Sequence, residues 1–456
     1  MFDGIRRIHF VGIGGIGMSG IAELLLNLGF EVTGSDIKSS DTIERLKRLG
    51  AKINIGHRPE NVLHSQVVVY SSAVSKDNPE CREAVSRGIP VIPRAEMLAE
   101  LMRMKYSIAI AGTHGKTTTT SMLATILAKA GLDPTAVIGG KLDLFDSNAK
   151  LGESDILVAE ADESDRSFLK LAPIVAVVTN IEKEHMDCYT DLDDIKSTYI
   201  TFLNKVPFYG FDVVCLDDEN IQSILPKLER KVITYGTSAQ ADFRCTSPSF
   251  KGSTSIFRAY KANKMLGEIK IDAPGIHNCL NAMAALSVSM QLEIPFETAR
   301  EALSDFKGVQ RRFHVRGEKK GIIVMDDYGH HPTEIRNTLS AIRLGFPGRR
   351  IIAVFQPHRY SRTKALFDDF VTAFYDAAIL YVTDIFPASE KPIDGVSAMK
   401  LLDSIKEHGH RSASYVEDKD TIPETIIKGL KRGDIVVFLG AGDIWRQGIR
   451  LLELLG

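Results

Sequence analysis

Lys116 and Thr117, set directly behind a glycine turn, are residue types suited to phosphoryl chemistry. The run is Gly112-Thr113-His114-Gly115-Lys116-Thr117-Thr118. Glycines let backbone N–H groups point at phosphate oxygens, and a helix starting there adds the positive end of its dipole. A lysine in this place reaches the terminal phosphates, and the threonine hydroxyl can sit on Mg²⁺. The commoner pattern has a further glycine five places before the second. Ile110 holds that position here, so the loop is a shortened variant. The plainer alternative is a Gly-rich turn with an exposed lysine.

Four acids follow the next apolar run, in Glu160-Ala161-Asp162-Glu163-Ser164-Asp165. An NTPase keeps its Mg²⁺ carboxylates in such a place, although a solvated acidic loop has the same composition. His185, in Glu184-His185-Met186-Asp187, follows another apolar run; a metal ligand and a structural histidine are equally open readings. Near the N-terminus, Gly12-Ile13-Gly14-Gly15-Ile16-Gly17 spells Gly-x-Gly-x-x-Gly, and Asp36 closes the following strand. That pattern fits NAD, with Asp36 on the ribose, and equally another diphosphate ligand such as a UDP-sugar. Ser71, opening Ser71-Ser72-Ala73-Val74, can touch a ligand or cap a helix. Asn278 and Asn281, in His277-Asn278-x-x-Asn281, can read a nucleobase edge or cap a helix. Arg359 and Arg362, behind another strand, carry forks that match a carboxylate or phosphate. The neighbours His330 and His331 point apart on an extended backbone, which disfavours a shared metal.

Strands must position these groups. Apolar runs at 8–11, 31–33, 66–70, 108–111, 155–158, 174–178, 321–325, 351–355, 379–383 and 435–439 read as strands. Helical spacing follows at about 18–28 and at 121–129, ended by Gly29 and Gly131. Residues 213–272 read as a meander of short strands. Elsewhere strands alternate with helices, which implies mostly parallel sheets with ligands at the strands' carboxyl ends.

The chain has 456 residues, so two to four domains are expected at roughly 150 residues each. A net charge of −2 without a basic tract gives no sign of nucleic acid or a membrane surface. Five scattered cysteines without a Cys-x-x-Cys suggest neither zinc nor a disulfide framework. With no leader-like segment before the first strand and no membrane-length apolar run, a reducing cytoplasm is the expected setting.

Taken together, these motifs resemble the Mur ligases, ATP-dependent amide-forming enzymes of peptidoglycan synthesis. The resemblance runs across almost the whole chain. The shortened phosphate loop, Glu-Ala-Asp-Glu-Ser, Glu-His-Met-Asp, His277-Asn278-x-x-Asn281, Arg312, Asp327-Tyr328-Gly329-His330-His331-Pro332 and His358-Arg359-Tyr360-Ser361-Arg362 all match family motifs. Gly-Ile-Gly-Gly-Ile-Gly-Met-Ser-Gly matches the alanine-adding branch, as does Thr198-Tyr199-Ile200-Thr201, where sister branches carry a modified lysine.

The resemblance implies an α/β fold of three domains. They are an N-terminal Rossmann-like domain (1–105) for a UDP-sugar, a central P-loop α/β domain (106–313) for ATP, and a C-terminal Rossmann-like domain (314–456) for the amino acid. Lys116, Glu160, His185 and Arg312 are implied to be catalytic, with Thr117, Glu160 and His185 on Mg²⁺ or Mn²⁺. Gly112 to Thr118, His277, Asn278, Asn281, Arg312 and Asp327 are implied to bind ATP. Gly12, Gly14, Gly15, Gly17, Asp36 and Ser71 would take the UDP-sugar, and Tyr328, His330, Arg359 and Arg362 the amino acid. The implied substrates are UDP-N-acetylmuramate, L-alanine and ATP. A monomer or weak homodimer, with neither nucleic acid nor membrane insertion, is expected.

Overall fold

A computed structural model describes residues 4–71, 73–75, 77–142 and 147–456, with backbone alone at 16, 139–142 and 147–150. Ser72 lies outside the described residues. The chain forms two compact units. One contains Met1–Glu182, Leu192–Arg244 and Asn281–Ala302. The other contains Lys183–Asp191, Cys245–Leu280 and Leu303–Gly456.

The first unit holds an N-terminal five-stranded sheet in the order Lys52–Ile55, Glu31–Asp36, Arg7–Val11, Val67–Tyr70, Val91–Pro93, parallel throughout. Val and Ile dominate its central strands, and Ile8, Phe10, Val68 and Val69 have no exposed surface. Such two-sided burial requires helical crossovers, which is why each strand is followed by a helix. Strand order reverses between Arg7–Val11 and Val67–Tyr70, the place where open α/β sheets form a ligand crevice. Gly12 and Ser71 meet there. A Cβ built on Gly12 would lie 3.3 Å from the Ser71 Cβ.

The same unit holds a second run of strands in the order Val232–Gly236, Phe211–Cys215, Val175–Val178, Tyr106–Ala111, Ile156–Glu160, Thr135–Leu142, Ser147–Lys150. All pairings are parallel except the last. Tyr106–Ala111 is flanked by Ile156–Glu160 and Val175–Val178, so three carboxyl ends open side by side. The acid-bearing strand runs two residues beyond its expected end, because Ala159 and Glu160 continue the ladder beside Ala109 and Ile110.

The expected meander is corrected here. Phe211–Cys215 and Val232–Gly236 are parallel neighbours with the helix Glu219–Ile224 between them. In the second unit, Thr254–Lys261 and Lys264–Ile271 do form an antiparallel hairpin. The second unit's main sheet runs His314–Lys319, Ile322–Asp327, Ile435–Leu439, Ile351–Phe355, Ile379–Val382, Ala413–Tyr415. Only its first pair is antiparallel. Phe355 packs on Phe370 and Phe374 with ring centroids 5.6 and 5.0 Å away, anchoring the core behind Gln356 to Arg362. Among the described residues, no helix is long and apolar enough to cross a membrane.

Candidate active site

The helix Lys116–Lys129 starts directly from the loop, earlier than the apolar spacing indicated. Thr117 to Thr120 are weak helix formers, but Thr119 and Thr120 are fully buried and packing overrides propensity. Gly112 at φ +131° and Gly115 at φ +82° adopt conformations that favour glycine. Space requires them too. A Cβ on Gly112 would meet Thr179 Oγ1 at 2.1 Å, and one on Gly115 would meet Asn281 Oδ1 at 2.5 Å. No side chain caps the helix, which leaves its first-turn N–H groups for an anion. The neighbouring strand end braces the turn. Thr113 N–H donates to Asn180 O at 3.1 Å, and His114 N–H to Asn180 Oδ1 at 2.8 Å. Thr118 is buried.

Lys116 Nζ lies 2.9 and 2.8 Å from the two Glu163 oxygens and 2.5 Å from Gly112 O. Burial alone would favour the neutral amine, but Glu163, Asp162 and Glu160 outweigh it and raise the lysine pKa. Burial pushes Glu163 up to about 7; Lys116 pulls it down and Asp162 pushes it up further. Thr117 Oγ1 donates to Glu160 Oε2 at 3.2 Å. Two of the three expected metal ligands therefore meet, and both offer the oxygen donors that Mg²⁺ or Mn²⁺ takes. His185 belongs to the second unit.

At the N-terminal turn, Gly12 has φ +80°, and Gly15 leads into the helix Ile16–Asn27 without a side-chain cap. Asp36 faces the turn itself. Its Oδ2 accepts from Gly14 N–H at 2.9 Å and its Oδ1 from Ile37 N–H at 2.8 Å. Gly17 faces Arg94, which sequence reading did not single out. Glu80, fully buried, accepts from Ser35 Oγ at 2.5 Å and Asn61 Nδ2 at 2.5 Å. Burial would raise its pKa, but His9, Ser35 and Asn61 hold it at about 2. This buried carboxylate fixes the strand end beside Asp36.

In the second unit, Asp327 accepts N–H bonds from Phe313 and Gly329, both at 2.7 Å. Its carboxylate is thus engaged in folding the chain, and burial pushes its pKa up. Arg312 donates to Glu334 Oε1 at 3.1 Å and lies 5.1 Å over the Tyr328 ring. The His330 ring stands 5.3 Å from that of Tyr328 and 5.8 Å from that of His358. Burial pushes His330 down to about 3 and His358 down to about 4, so both imidazoles are neutral. His331 turns away to cap the helix Pro332–Gly345, with Nδ1 accepting from Thr333 N–H at 3.2 Å.

The two arginines differ. Arg362 donates from Nε to Glu184 Oε1 at 2.8 Å, while its Nη1 lies 3.0 Å from His358 Nδ1. Burial would raise the Glu184 pKa, but Arg362 and the nearby histidines hold it well below the carboxylate range. Arg359 sits at φ +69°, and its buried Nε has no partner. A positive φ and a buried N–H without a partner are features found at binding positions. Glu184, His185, Asp187, Arg359, Ser361 and Arg362 share a cavity of about 390 Å³. The helix Ile276–Gln291 carries the remaining candidates. Asn278 Nδ2 donates to Pro274 O at 2.8 Å, Asn281 Oδ1 accepts from Thr119 Oγ1 at 3.2 Å, and His277 packs beside Gly275.

Three family models match the chain in succession: Mur ligase family, catalytic domain, over 7–106; Mur ligase middle domain, over 110–289; and Mur ligase, glutamate ligase domain, over 311–442. The chain is also 58% identical to the UDP-N-acetylmuramate–L-alanine ligase of Trichlorobacter lovleyi, covering 100% of both proteins. The chain belongs to the Mur ligase family. Its three-domain α/β architecture is that of a UDP-N-acetylmuramate-alanine ligase from Thermotoga maritima, with TM-score 0.82 and 30% identity over 98% of each chain. A murein peptide ligase from Psychrobacter arcticus aligns with TM-score 0.71 and 26% identity over 99% of each chain. In this Mur ligase, Arg94 and Asn180 are site neighbours that sequence reading did not single out; Glu163 was read among the four acids and Glu184 within Glu-His-Met-Asp, neither with its partner. Arg94 had one usable signal: it directly follows a strand end in the glycine-turn sheet.

Proposed function

We propose that this Mur ligase uses ATP to join L-alanine to the carboxylate of UDP-N-acetylmuramate, in peptidoglycan precursor synthesis. The observation that carries the reading is the meeting of Lys116, Thr117 and Glu160 around an uncapped helix start. A carboxylate is a poor electrophile, so one of its oxygens first attacks the γ-phosphorus, ADP leaves and an acyl phosphate forms. The alanine amine then attacks the acyl carbon, the tetrahedral intermediate expels phosphate, and the amide remains. Lys116 leaves Glu163 to neutralise charge on the transferring phosphoryl group. Thr117, Glu160 and His185 would hold Mg²⁺ or Mn²⁺. Such an ion supplies further neutralisation of phosphate charge when bound. Arg312 assists at the phosphates, and Arg359, with Arg362, Tyr328 and His330, takes the alanine carboxylate.

The same reading assigns 1–105 to the sugar nucleotide, 106–313 to ATP and 314–456 to the amino acid. Gly12, Gly14, Gly15, Gly17 and Ser71 cradle the diphosphate, and Asp36 holds the turn in shape beside the uridine. Residues 112–118, His277, Asn278, Asn281 and Asp327 surround ATP. The chain works in the cytoplasm as a monomer or weak homodimer. The test is phosphate release with ATP and UDP-N-acetylmuramate, adding each amino acid in turn. Release that requires L-alanine, with glycine and serine much weaker, is expected. Release indifferent to the amino acid contradicts the reading.

A further inference from the structure

Arg94 begins the helix Arg94–Met102, directly after the strand Val91–Pro93. Its side chain lies flat across Gly17. A Cβ there would stand 2.3 Å from Nη1, 3.1 Å from Cζ and 3.2 Å from Cδ. A side chain at the last glycine of Gly-x-Gly-x-x-Gly would push the guanidinium aside. From the same place Arg94 Nη2 donates to Asp162 Oδ2 at 3.2 Å. The pair is open to water, with side chains 23% and 44% exposed.

Arg94 lies at the positive end of the helix Ile16–Asn27, which has no acid in its first turn and no side-chain cap. Cations are disfavoured at that end. Asp162, which pairs with Arg94, also feels the charge of Lys116. An anion on the glycine turn would satisfy both the uncapped N–H groups and the guanidinium, whose fork matches phosphate oxygens.

We propose that Arg94 is a diphosphate-binding residue of the Gly12–Gly17 turn, and that it exchanges Asp162 for the diphosphate when the sugar nucleotide binds. The proposal rests on the reading of that turn as the sugar-nucleotide site. It makes Asp162 a competitor for Arg94, so substitutions at the two positions act in opposite directions.

The test measures dissociation constants of UDP and of UDP-N-acetylmuramate for the full chain, by calorimetry, in wild type, Arg94→Ala, Arg94→Lys and Asp162→Asn. Losing a charge-assisted hydrogen bond weakens binding by about tenfold or more, so Arg94→Ala should weaken both ligands by that factor. Arg94→Lys, which keeps the charge without the fork, should recover part of the loss. Asp162→Asn should bind both ligands severalfold more tightly than wild type. An Arg94→Ala protein that binds as wild type does overturns the proposal. So does an Asp162→Asn protein that binds more weakly, since a merely structural ion pair would fail in the same direction from either side. If wild type itself binds neither ligand, the sugar-nucleotide reading fails as well. If wild type binds and Arg94→Ala is unchanged, only the role of Arg94 fails.

Discussion

Lys116 carries the largest expected effect of any single side chain. Lys116→Ala should leave the fold intact and lower phosphate release by about two orders of magnitude or more, the usual cost of one preorganised charge at the reacting group. Near-normal turnover in a folded variant would remove the ATP site. Glu160→Ala takes one oxygen from the pair it forms with Thr117. A Mg²⁺ titration of its activity should shift to higher concentration while KM for UDP-N-acetylmuramate stays near wild type; an unchanged metal dependence denies the ligand role. The arginines separate in a way their motif does not show. Arg359 has an unpartnered Nε, whereas Arg362 balances a buried glutamate. Arg359→Ala should raise KM for L-alanine by about tenfold with an unchanged melting temperature. Arg362→Ala should raise that KM and also melt lower, because it strands Glu184. Equal melting temperatures in the two variants would contradict this. The phosphate-loop lysine, its threonine, the acids and the arginine forks were legible because type and local spacing identify them. Glu163, Glu184 and Arg94 were not recognised as partners of these groups, because tertiary contacts rather than local spacing create those pairs.

Elements were legible where burial is uniform. Residues 351–355 and 435–439 were read as strands, and each is wholly buried. Phe243–Lys251 was missed because much of it is exposed and polar, so no apolar run announces it. The meander failed for a related reason: short apolar strands look alike whether a hairpin or a helix joins them. One buried strand carries a pH dependence. Asp212, in Phe211–Cys215, is fully buried, with neither carboxylate oxygen partnered. Burial pushes its pKa from 3.8 up to about 8, against the pull of Arg230. The folded chain therefore holds this proton more tightly than the unfolded chain does. Stability from this group falls as pH rises from about 4 to about 8 and levels off above that. Asp212→Asn removes the titration, so its stability advantage should grow by up to about 1.4 kcal/mol per pH unit across that window. Denaturant unfolding at several pH values checks it, and parallel profiles for the two proteins would contradict it.

At the scale of the molecule, alternation of strands and helices was enough to expect mostly parallel sheets, and the three sheets are mostly parallel. What each sheet presents follows from the strands' carboxyl ends: a glycine turn with Arg94 on one, a phosphate loop with Glu160 on another, and Arg359 with the neutral His330 and His358 on the third. The central claim is that this Mur ligase activates a carboxylate with ATP before the amine attacks. Oxygen-18 tests it most directly. UDP-N-acetylmuramate labelled in its carboxylate is turned over with ATP, Mg²⁺ and L-alanine, and the released phosphate is analysed by mass. The account predicts that, with both carboxylate oxygens labelled, each released phosphate carries one labelled oxygen and the amide product keeps the other. Turnover that releases unlabelled phosphate would contradict it.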